Sequence, residues 1–535
     1  MARNLYRVYL YVVSIGSLII AAVGAYFLLS LLFAETPLRG TFRPAPGSQE
    51  LVQRIVLTVV LWAVAGALGG LHYWLIRRDM RTDPAAGSGA IRAFFLNFFE
   101  AVAVIVAVST AASVLNGIAF GAAFGGDASD PLAVAVAAFA AAVVLEVERR
   151  RTRAGSGVAR IFQRLHLYGV PLVLLLIAGM SAWQSAVRET IALPLHNAGQ
   201  LISCPSPSDF TGPFPEGPCY TQVDIVPLWG AALLVLAVWG VYALFVRGDV
   251  GSALRQVLHL IGFTLGLIFL LVGVERGVEF GLRGLLGGAS AWVDLVGPYE
   301  FVSALTFGLL VTLVYGLWLR REAALLPMGA ATTGLTVEAI AALGLSVPFW
   351  WGLGSILHTA IESWVAPAGV FLAPDWTAWA FALALLITGI GSIPAILDLH
   401  RRTARTSITG PHRAFVFGSL AAGALTGAVG AAIALYALGT NLLGAGVGDW
   451  QGTARTGAVV FVIGIAIAGI YGWLGARLRY FKRAPATVSP EAAPVPPRAP
   501  DTIEAVLDAF ASGKLARDEA AARIHEIDQR PLLPA

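Results

Sequence analysis

Residues 51–81 read LVQRIVLTVVLWAVAGALGGLHYWLIRRDMR. Most of this stretch is a run of apolar residues, and it ends in the arginines Arg77, Arg78 and Arg81. A helix needs roughly 20 consecutive apolar residues to cross the hydrocarbon core of a bilayer, and the run is long enough. We therefore interpret it as a transmembrane helix that ends at a positively charged membrane surface.

Apolar segments closed by arginines recur along the chain at intervals of roughly 70 to 95 residues, which is the signature of a repeated supersecondary unit. We predict that each unit is a hairpin of two transmembrane helices whose arginines lie on one side of the membrane. The further clusters are Arg149–Arg151, Arg247, Arg320–Arg321, Arg401–Arg402 and Arg477–Arg483.

The composition of the chain excludes a soluble domain. Hydrophobic residues make up 57% of the 535 residues, charged residues make up 13%, and the mean hydropathy is +0.75. Backbone groups cannot remain unpaired in lipid, so the apolar stretches predict about twelve transmembrane helices. They lie near residues 6–33, 52–76, 92–118, 131–148, 161–187, 225–246, 255–274, 299–319, 333–357, 377–397, 412–440 and 456–479.

Lysine and arginine are unequally distributed between the two sides of the predicted bundle. The chain has 36 of them; about 24 fall on the side of the N-terminus and the arginine clusters, against about seven on the other side. This bias predicts a multi-pass protein of the bacterial cytoplasmic (inner) membrane with both termini in the cytoplasm. The net charge of +4 fits arginines beside lipid headgroups, so the expected partner is the lipid bilayer and not nucleic acid.

The predicted fold class is all-α, a polytopic transmembrane helix bundle of six repeated two-helix hairpins with a small cytoplasmic helical hairpin. The starts of the odd-numbered helices resemble one another, because residues 3–11 align with 160–168. We predict the following domains: unit 1 at 1–152 (spans 1–4), unit 2 at 153–322 (spans 5–8, with a long outer loop at 188–224), unit 3 at 323–483 (spans 9–12), a Pro/Ala-rich linker at 484–500, and a cytoplasmic helical hairpin and tail at 501–535.

Three features together carry a family resemblance: the Arg- and Tyr-rich helix start, a second helix that ends in Gly70-x-His72-x-Trp74 before arginines, and the tandem two-helix units. They resemble a bacterial multi-pass membrane family catalogued only as a domain of unknown function (5671). The resemblance covers residues 1–483 and implies three tandem four-helix copies. It supplies no catalytic or ligand-binding residues.

The C-terminal region predicts two short helices, at 502–511 and 518–527, after the linker. The apolar residues Val506, Leu507 and Phe510 fall on one face of the first helix, and the second helix can cover that face. This arrangement resembles the short helical hairpin found at the C-terminus of many bacterial membrane proteins. The resemblance implies self-association or binding of a protein partner through residues 502–527.

Two glutamates fall inside predicted spans, where an ionisable side chain costs about 2.5–3.5 kcal/mol at a helix centre. Glu100 lies near the start of the third helix and Glu338 near the start of the ninth, each followed by an Ala-Val-Ala or Ala-Ile-Ala sequence. Either each pairs with an arginine at the cytoplasmic rim, or the two belong to a proton or substrate path. They are the candidate intramembrane functional carboxylates.

Three histidines, His72, His166 and His259, lie at the cytoplasmic ends of predicted helices. Two histidines on different helices can bind a haem iron from both sides, which would require His166 and His259 to face each other. The alternative is hydrogen bonding at the membrane interface, and we expect no cofactor.

The long outer loop contains both cysteines of the chain, Cys204 and Cys219. The residues between them are rich in proline and glycine, so the loop lacks regular structure. We predict a disulfide between the two, which in the chain-entropy model stabilises such a loop by roughly 3 kcal/mol. No His or Cys pair at ligand spacing accompanies them, so we expect no metal.

Glycine and proline positions predict details of helix packing. The small-xxx-small pairs Gly66/Gly70 and Gly423/Gly427 are expected to pack inside the bundle. Pro171 is expected to kink the fifth helix, and Pro348 the ninth. Ion pairs among Glu275, Arg276, Glu279 and Arg283 predict an exposed extension of the seventh helix.

The sequence carries no phosphate-binding loop, zinc-protease motif, Cys-x-x-Cys pair or nucleophile elbow. We therefore expect no enzyme and no catalytic residues. The preferred interpretation is a non-enzymatic membrane scaffold or interaction protein. The alternative is a secondary transporter or channel for a small solute or ion, and the third is a haem- or quinone-binding redox subunit.

Overall fold

The fold is taken from a computed structural model of the chain. The structure describes residues 2–39, 47–124, 128–151, 157–197, 202–203, 219–220, 223–249, 252–287, 296–323, 325, 329–364, 376–442, 450–480, 506, 510 and 518–521. These residues are almost entirely helical, and the chain divides into two compact units, residues 1–473 and 474–535.

Twelve helical segments in the described ranges are long and apolar enough to cross a membrane. This confirms the all-α fold class and a multi-pass membrane protein. The helices are α1 (Ala2–Ala34), α2 (Ser48–Thr82), α3 (Ala90–Phe124), α4 (Ser129–Arg150), α5 (Val158–Leu174), α6 (Met180–Asn197), α7 (Ile225–Phe245), α8 (Ala253–Gly287), α9 (Val296–Glu322), α10 (Gly329–Trp364), α11 (Trp376–Gly389), α12 (Ser392–Thr406), α13 (Gly410–Leu442) and α14 (Trp450–Arg477).

Two of the twelve segments are interrupted. The fifth consists of α5 and α6 joined by a π-helical segment, Leu175–Gly179, that begins four residues after Pro171. The tenth consists of α11 and α12 on either side of a turn at Ile390 and Gly391. By contrast, α10 continues through Pro348 as one helix. Proline thus accompanies the irregularity in both spans, because Pro394 follows the turn at Ile390 and Gly391 by three residues and cannot donate a hydrogen bond to the carbonyl oxygen of Ile390.

Several helices that follow each other in the chain pack together, and each group of four spans also touches the next. In the first group α1 packs against α2 and α4, and α3 packs against α4. The same α3 also contacts α5 and α7 of the following group. Further along, α8 packs against α9 and contacts α10 and α11.

Glycines allow a close approach between α13 and α14. A Cβ added to Gly464 would lie 2.5 Å from the Cα of Gly427, so the two backbones leave no room for a side chain. The predicted internal packing of Gly423/Gly427 is therefore confirmed. For Gly66/Gly70 the prediction was wrong, because both are exposed on α2 and an added Cβ would meet nothing within 4 Å.

Other predictions outside the bundle core are tested only in part. A two-residue parallel strand pair joins β1 (Ile202–Ser203) to β2 (Cys219–Tyr220). Cys204 lies outside the described residues, so the disulfide with Cys219 stays a prediction. In the unit 474–535, Val506, Phe510 and residues 518–521 are helical, and the rest of the predicted C-terminal helix pair lies outside the described ranges.

Candidate functional site

The described polar side chains concentrate where α1, α3, α5, α8 and α10 begin and where α2, α4, α7, α9 and α12 end. We call this the arginine-rich end. Ion pairs here link the start of one helix to the end of another, over separations of tens of residues in the sequence. The pairs with a buried arginine, at Arg92 and Arg255, are costly to break and fix which helix ends lie together.

The first set of these pairs joins the first helix of a group to the second. Nε of Arg7 lies 2.7 Å from Asp79, and a terminal nitrogen of Arg7 lies 2.6 Å from Asp83. In the loop after α2, the hydrogen bond from Arg7 holds the pKa of the Asp83 carboxyl below its ordinary value. In the next group, Arg164 of α5 lies 2.6 Å from Asp249, just after α7.

A second set of pairs joins the start of the third helix to the end of the fourth. Arg92 of α3 is 3% exposed and donates to Glu148 of α4 at 2.6 Å. In the next group, Arg255 of α8 donates to Glu322 of α9, with Nε at 2.9 Å from Oε2. Arg255 is also buried. A buried guanidinium without a carboxylate would be strongly destabilising, so each pair depends on both members.

Glu100 is part of a buried hydrogen-bonded network. Its Oε2 accepts a hydrogen bond from Nε of Arg149 at 2.9 Å, and its Oε1 lies 3.7 Å from Nε2 of His166. The imidazole of His166 is bonded on both sides, with Nδ1 at 2.9 Å from the carbonyl oxygen of Asn97 and Nε2 at 3.2 Å from the hydroxyl of Tyr242. The network therefore connects α3, α4, α5 and α7.

Glu338 is also paired with an arginine, in a more open setting. Its Oε1 lies 2.5 Å from Arg402 of α12, and the same arginine lies 2.9 Å from Asp398, one turn earlier. The side chain of Glu338 is one-quarter exposed. Both candidate carboxylates thus contact an arginine at the arginine-rich end, as the first of the two sequence interpretations requires.

The histidines are mainly engaged with protein groups. His72 has Nδ1 at 2.7 Å from the carbonyl oxygen of Leu68 and Nε2 at 3.1 Å from the hydroxyl of Tyr9. His259 lies among aromatic rings, with its centroid 5.1 Å from that of Trp318. Because both ring nitrogens of His166 are bonded, this conformation offers no nitrogen of His166 to a haem iron. Interfacial hydrogen bonding is the role that the geometry supports for His72 and His166.

Two larger cavities lie among the described spans. The α1–α4 cleft has a volume of about 610 Å³ and is lined by residues of α1, α2, α3 and α4. The α10–α14 cavity has a volume of about 560 Å³ and is lined by residues of α10, α11, α13 and α14. Neither Glu100 nor Glu338 is among the lining residues of these two cavities.

The opposite end of the bundle holds a second group of charges. The seventh span extends as predicted, with Arg276 at 3.0 Å and Arg283 at 2.5 Å from Glu279. The extension is not fully exposed, however, since Glu275 and Glu279 are both buried. Across the described residues, no group of three or more His, Cys, Asp or Glu side chains has the geometry to hold a metal ion.

Comparison with known proteins shows that one part of the chain is similar to a known family. Residues 7–147 match the model of a family described as Domain of unknown function (DUF5671). The DUF5671 match covers about a quarter of the chain and runs from the first turns of α1 to the last turn of α4. No curated protein and no solved structure matches the chain. Arg7, His72, Arg92 and Glu100 lie within the matched residues, whereas Glu148, Arg149 and His166, which contact Arg92 or Glu100, lie beyond residue 147.

Sequence reasoning counted Arg92 and Arg255 only as positive charges and did not single out Glu148 or Glu322. A signal was present, because both arginines stand at the start of a third helix and both glutamates follow the apolar part of a fourth. Aligning the even helix ends as well as the odd helix starts would have revealed the two pairs.

Proposed function

We propose that the protein is a non-enzymatic scaffold or interaction protein of the bacterial cytoplasmic membrane, with both termini in the cytoplasm. The observation that carries the proposal is that both intramembrane carboxylates, Glu100 and Glu338, are engaged by arginines and lie outside the two larger cavities. Charged groups that serve transport instead line a path or a water-filled cavity. The positive-inside bias supports the orientation.

The first two groups of four spans are proposed to be tandem copies of the DUF5671 unit. Arg7 and Arg164 occupy the same position in the aligned helix starts at 3–11 and 160–168, and each pairs with an aspartate at the end of the following span, Asp79 or Asp249. A shared set of cross-helix contacts supports duplication more specifically than shared hydropathy, which any membrane helix has.

The third and fourth spans support the same proposal. The pair Arg92 and Glu148 recurs as Arg255 and Glu322. In the third group the first and second spans are again linked by an ion pair, but the signs are exchanged, with Glu338 on the first span and Arg402 on the second. We infer that the third copy has kept the position of the contact and not its residue types.

The C-terminal hairpin is proposed as the segment that binds a second copy or a protein partner. Phe510 is 43% exposed although it is a large apolar side chain on the predicted helix face, whereas Val506 on the same face is buried. Small helix pairs bury little apolar area alone, so a partner surface would add stability. The disulfide between Cys204 and Cys219 is proposed to stabilise the outer loop.

The scaffold proposal is tested by replacing the exposed aromatic in the full-length chain. Phe510→Ser is expected to reduce the crosslinked oligomer or complex formed in intact membranes, because it removes the apolar contact without touching buried Val506. The matched control is Asp518→Asn, an exposed residue of the second helix. If the wild-type chain crosslinks to nothing, or if F510S behaves like D518N, the scaffold role through this hairpin is wrong.

Transport of a small solute or ion is a second candidate, favoured by the α10–α14 cavity. Its wall includes the hydroxyls of Ser346, Ser419 and Thr426, and the hydroxyl of Ser419 is buried without a hydrogen bond in the described structure. The break at Ile390 and Gly391 lies in the same group of helices, and discontinuous helices are common in transporters. A solute flux in reconstituted vesicles that Ser419→Ala alters and Ser363→Ala leaves unchanged would support this candidate over the scaffold.

A further inference from the structure

The α1–α4 cleft has the depth of one membrane leaflet. On α1 its lining runs from Tyr11 at the arginine-rich end to Ala21, ten residues further on. At 1.5 Å per residue this is about 15 Å, or half of the roughly 30 Å hydrocarbon core. Trp62 closes the deep end by donating a hydrogen bond from Nε1 to the carbonyl oxygen of Ala21 at 3.0 Å.

The mouth of the cleft is polar and rich in arginine. Glu148 of α4 accepts from Arg92 at 2.6 Å and from Arg77 at 3.2 Å, and it lies 3.4 Å from Arg151. The hydroxyl of Tyr73 lies 3.2 Å from the same carboxylate. Three guanidinium groups around one carboxylate give the mouth an excess of positive charge and several donors suited to phosphate oxygens.

Below the mouth the cleft is apolar and opens to the side of the bundle. Val143, Val144 and Val147 of α4 line it, and all three are exposed, Val144 by 54%. On the facing helix, α2 contributes Ala65 and Gly66. Exposed valines at this depth face lipid chains, so the cleft is accessible from the hydrocarbon of the leaflet on the arginine side.

The second group of spans supplies a comparison, under the tandem arrangement proposed above. When the second spans are aligned so that Asp79 matches Asp249, Gly69 of the first group corresponds to Trp239 of the second. When the fourth spans are aligned so that Glu148 matches Glu322, Val144 corresponds to Trp318. The rings of Trp239 and Trp318 stack with centroids 5.3 Å apart. The cavity they line has a volume of about 20 Å³, against about 610 Å³ for the α1–α4 cleft. In the second group of spans, tryptophan side chains thus fill the space that is open as a cleft in the first group.

We propose that the α1–α4 cleft binds one anionic phospholipid from the leaflet on the arginine side. The phosphate would contact Arg151, which lines the mouth, and Arg77, which bonds to the lining residues Tyr73 and Glu148. One acyl chain would lie along the valines toward Trp62. The positive charge at the mouth favours an anionic lipid over a zwitterionic one. The apolar wall, which is one leaflet deep, favours a molecule with an acyl chain over a free anion. The inference does not depend on the scaffold proposal, because it concerns the isolated chain and needs no protein partner.

The test is native mass spectrometry of the full-length protein in detergent, titrated with phosphatidylglycerol or with phosphatidylcholine of the same chains. We expect one phosphatidylglycerol to bind at lower concentration than phosphatidylcholine. Removing one arginine near a membrane surface weakens binding of an anionic lipid on the order of five-fold, so Arg77→Gln and Arg151→Gln should each do so. The matched control is Arg150→Gln, because Arg150 is 73% exposed and pairs with Glu146, which does not line the cleft.

A second pair of variants tests the apolar wall without changing any charge. Gly66 lines the cleft and Gly70, one turn away, does not, and neither has an atom within 4 Å of an added Cβ. We expect Gly66→Leu to reduce binding of the lipid and Gly70→Leu to leave it unchanged.

Several results would overturn the proposal. These are equal binding of the two lipids, equal effects of R151Q and R150Q, or equal effects of G66L and G70L. Displacement of the lipid by inorganic phosphate alone would assign the mouth to a free anion. Occupation by a neutral quinone, or by a helix of another protein in place of lipid, would assign the cleft to that ligand.

Discussion

The hydroxyl of Tyr9 on α1 lies 3.1 Å from Nε2 of His72 on α2. In the next group of spans the contact occurs with the residue types exchanged, as His166 on α5 and Tyr242 on α7, at 3.2 Å. Either order brings one hydroxyl and one imidazole together between the same two helices. We therefore predict that the pair is required and that either residue type can take either position.

Reversing the first pair tests this requirement directly. We expect Tyr9→Phe to destabilise the protein by about 1 kcal/mol, the usual net value of one hydrogen bond. The double variant Tyr9→His with His72→Tyr should retain most of the wild-type stability, because it copies the arrangement in the second group. The measurement is the midpoint of thermal unfolding in detergent.

Tyr6→Phe is the control for the loss of a hydroxyl, since Tyr6 is an exposed tyrosine on the same helix. Its midpoint should equal that of the wild type. A reversed pair less stable than Y9F would show that the two orders are not interchangeable.

Breaking the ion pair between α3 and α4 should have a large effect. Arg92→Gln leaves the carboxylate of Glu148 without its closest partner, and loss of one member of a buried pair costs about 3–5 kcal/mol. Arg150→Gln removes an exposed arginine two residues from Glu148 and should leave the unfolding midpoint unchanged. Comparable midpoints for R92Q and R150Q would mean that the buried pair does not hold α3 to α4.

The contact between α13 and α14 predicts a contrast between two glycines of one helix. Gly464→Ala forces a methyl group into the backbone of Gly427 and should destabilise by about 1–3 kcal/mol. Gly469 is exposed and has no atom within 4 Å of an added Cβ, so Gly469→Ala should be neutral or slightly stabilising. The two variants are compared by chemical unfolding in detergent, and equal stability would exclude the close approach.

The loop after α2 predicts an acid-dependent contribution to stability. The pKa of Asp83 is lowered in the folded state by the hydrogen bond from Arg7, so this contribution is present above about pH 4, the ordinary value for Asp. It is lost as the pH falls through the lowered pKa, because the protonated carboxyl no longer pairs with the guanidinium. Asp83→Asn should therefore be less stable than wild type at pH 6, and the difference should shrink toward pH 3. A difference that is constant with pH would contradict this assignment.

The helical spans could be predicted from the sequence because each depends only on a local run of apolar residues. The span predicted at 225–246 is the helix Ile225–Phe245. For most of the other helix ends, the predicted and observed bounds differ by no more than about one helical turn. The largest extension is in α8, which was predicted to end at 274 and continues to Gly287. After residue 274 the hydropathy falls, but ion pairs within the helix stabilise its continuation.

The partners of the side chains could not be predicted in the same way. An arginine was expected near Glu100, but the sequence offered Arg149, Arg150 and Arg151, and only packing of α4 on α3 selects Arg149. Likewise, Gly66/Gly70 and Gly423/Gly427 have the same spacing, and only the neighbouring helix decides which pair is buried. Such outcomes depend on which elements meet, which no short motif encodes.

The stacked tryptophans of the second group, Trp239 and Trp318, have an evolutionary consequence. In the proposed tandem alignment they take the positions of a glycine and a valine of the first group, while similar charged contacts lie at the arginine-rich end of both groups. If the two groups are the tandem copies proposed above, a binding space in one copy is gained or lost through two substitutions, while the contacts that hold the helices are inherited intact. Copies of one ancestral unit are free in this way to divide their tasks within a single chain.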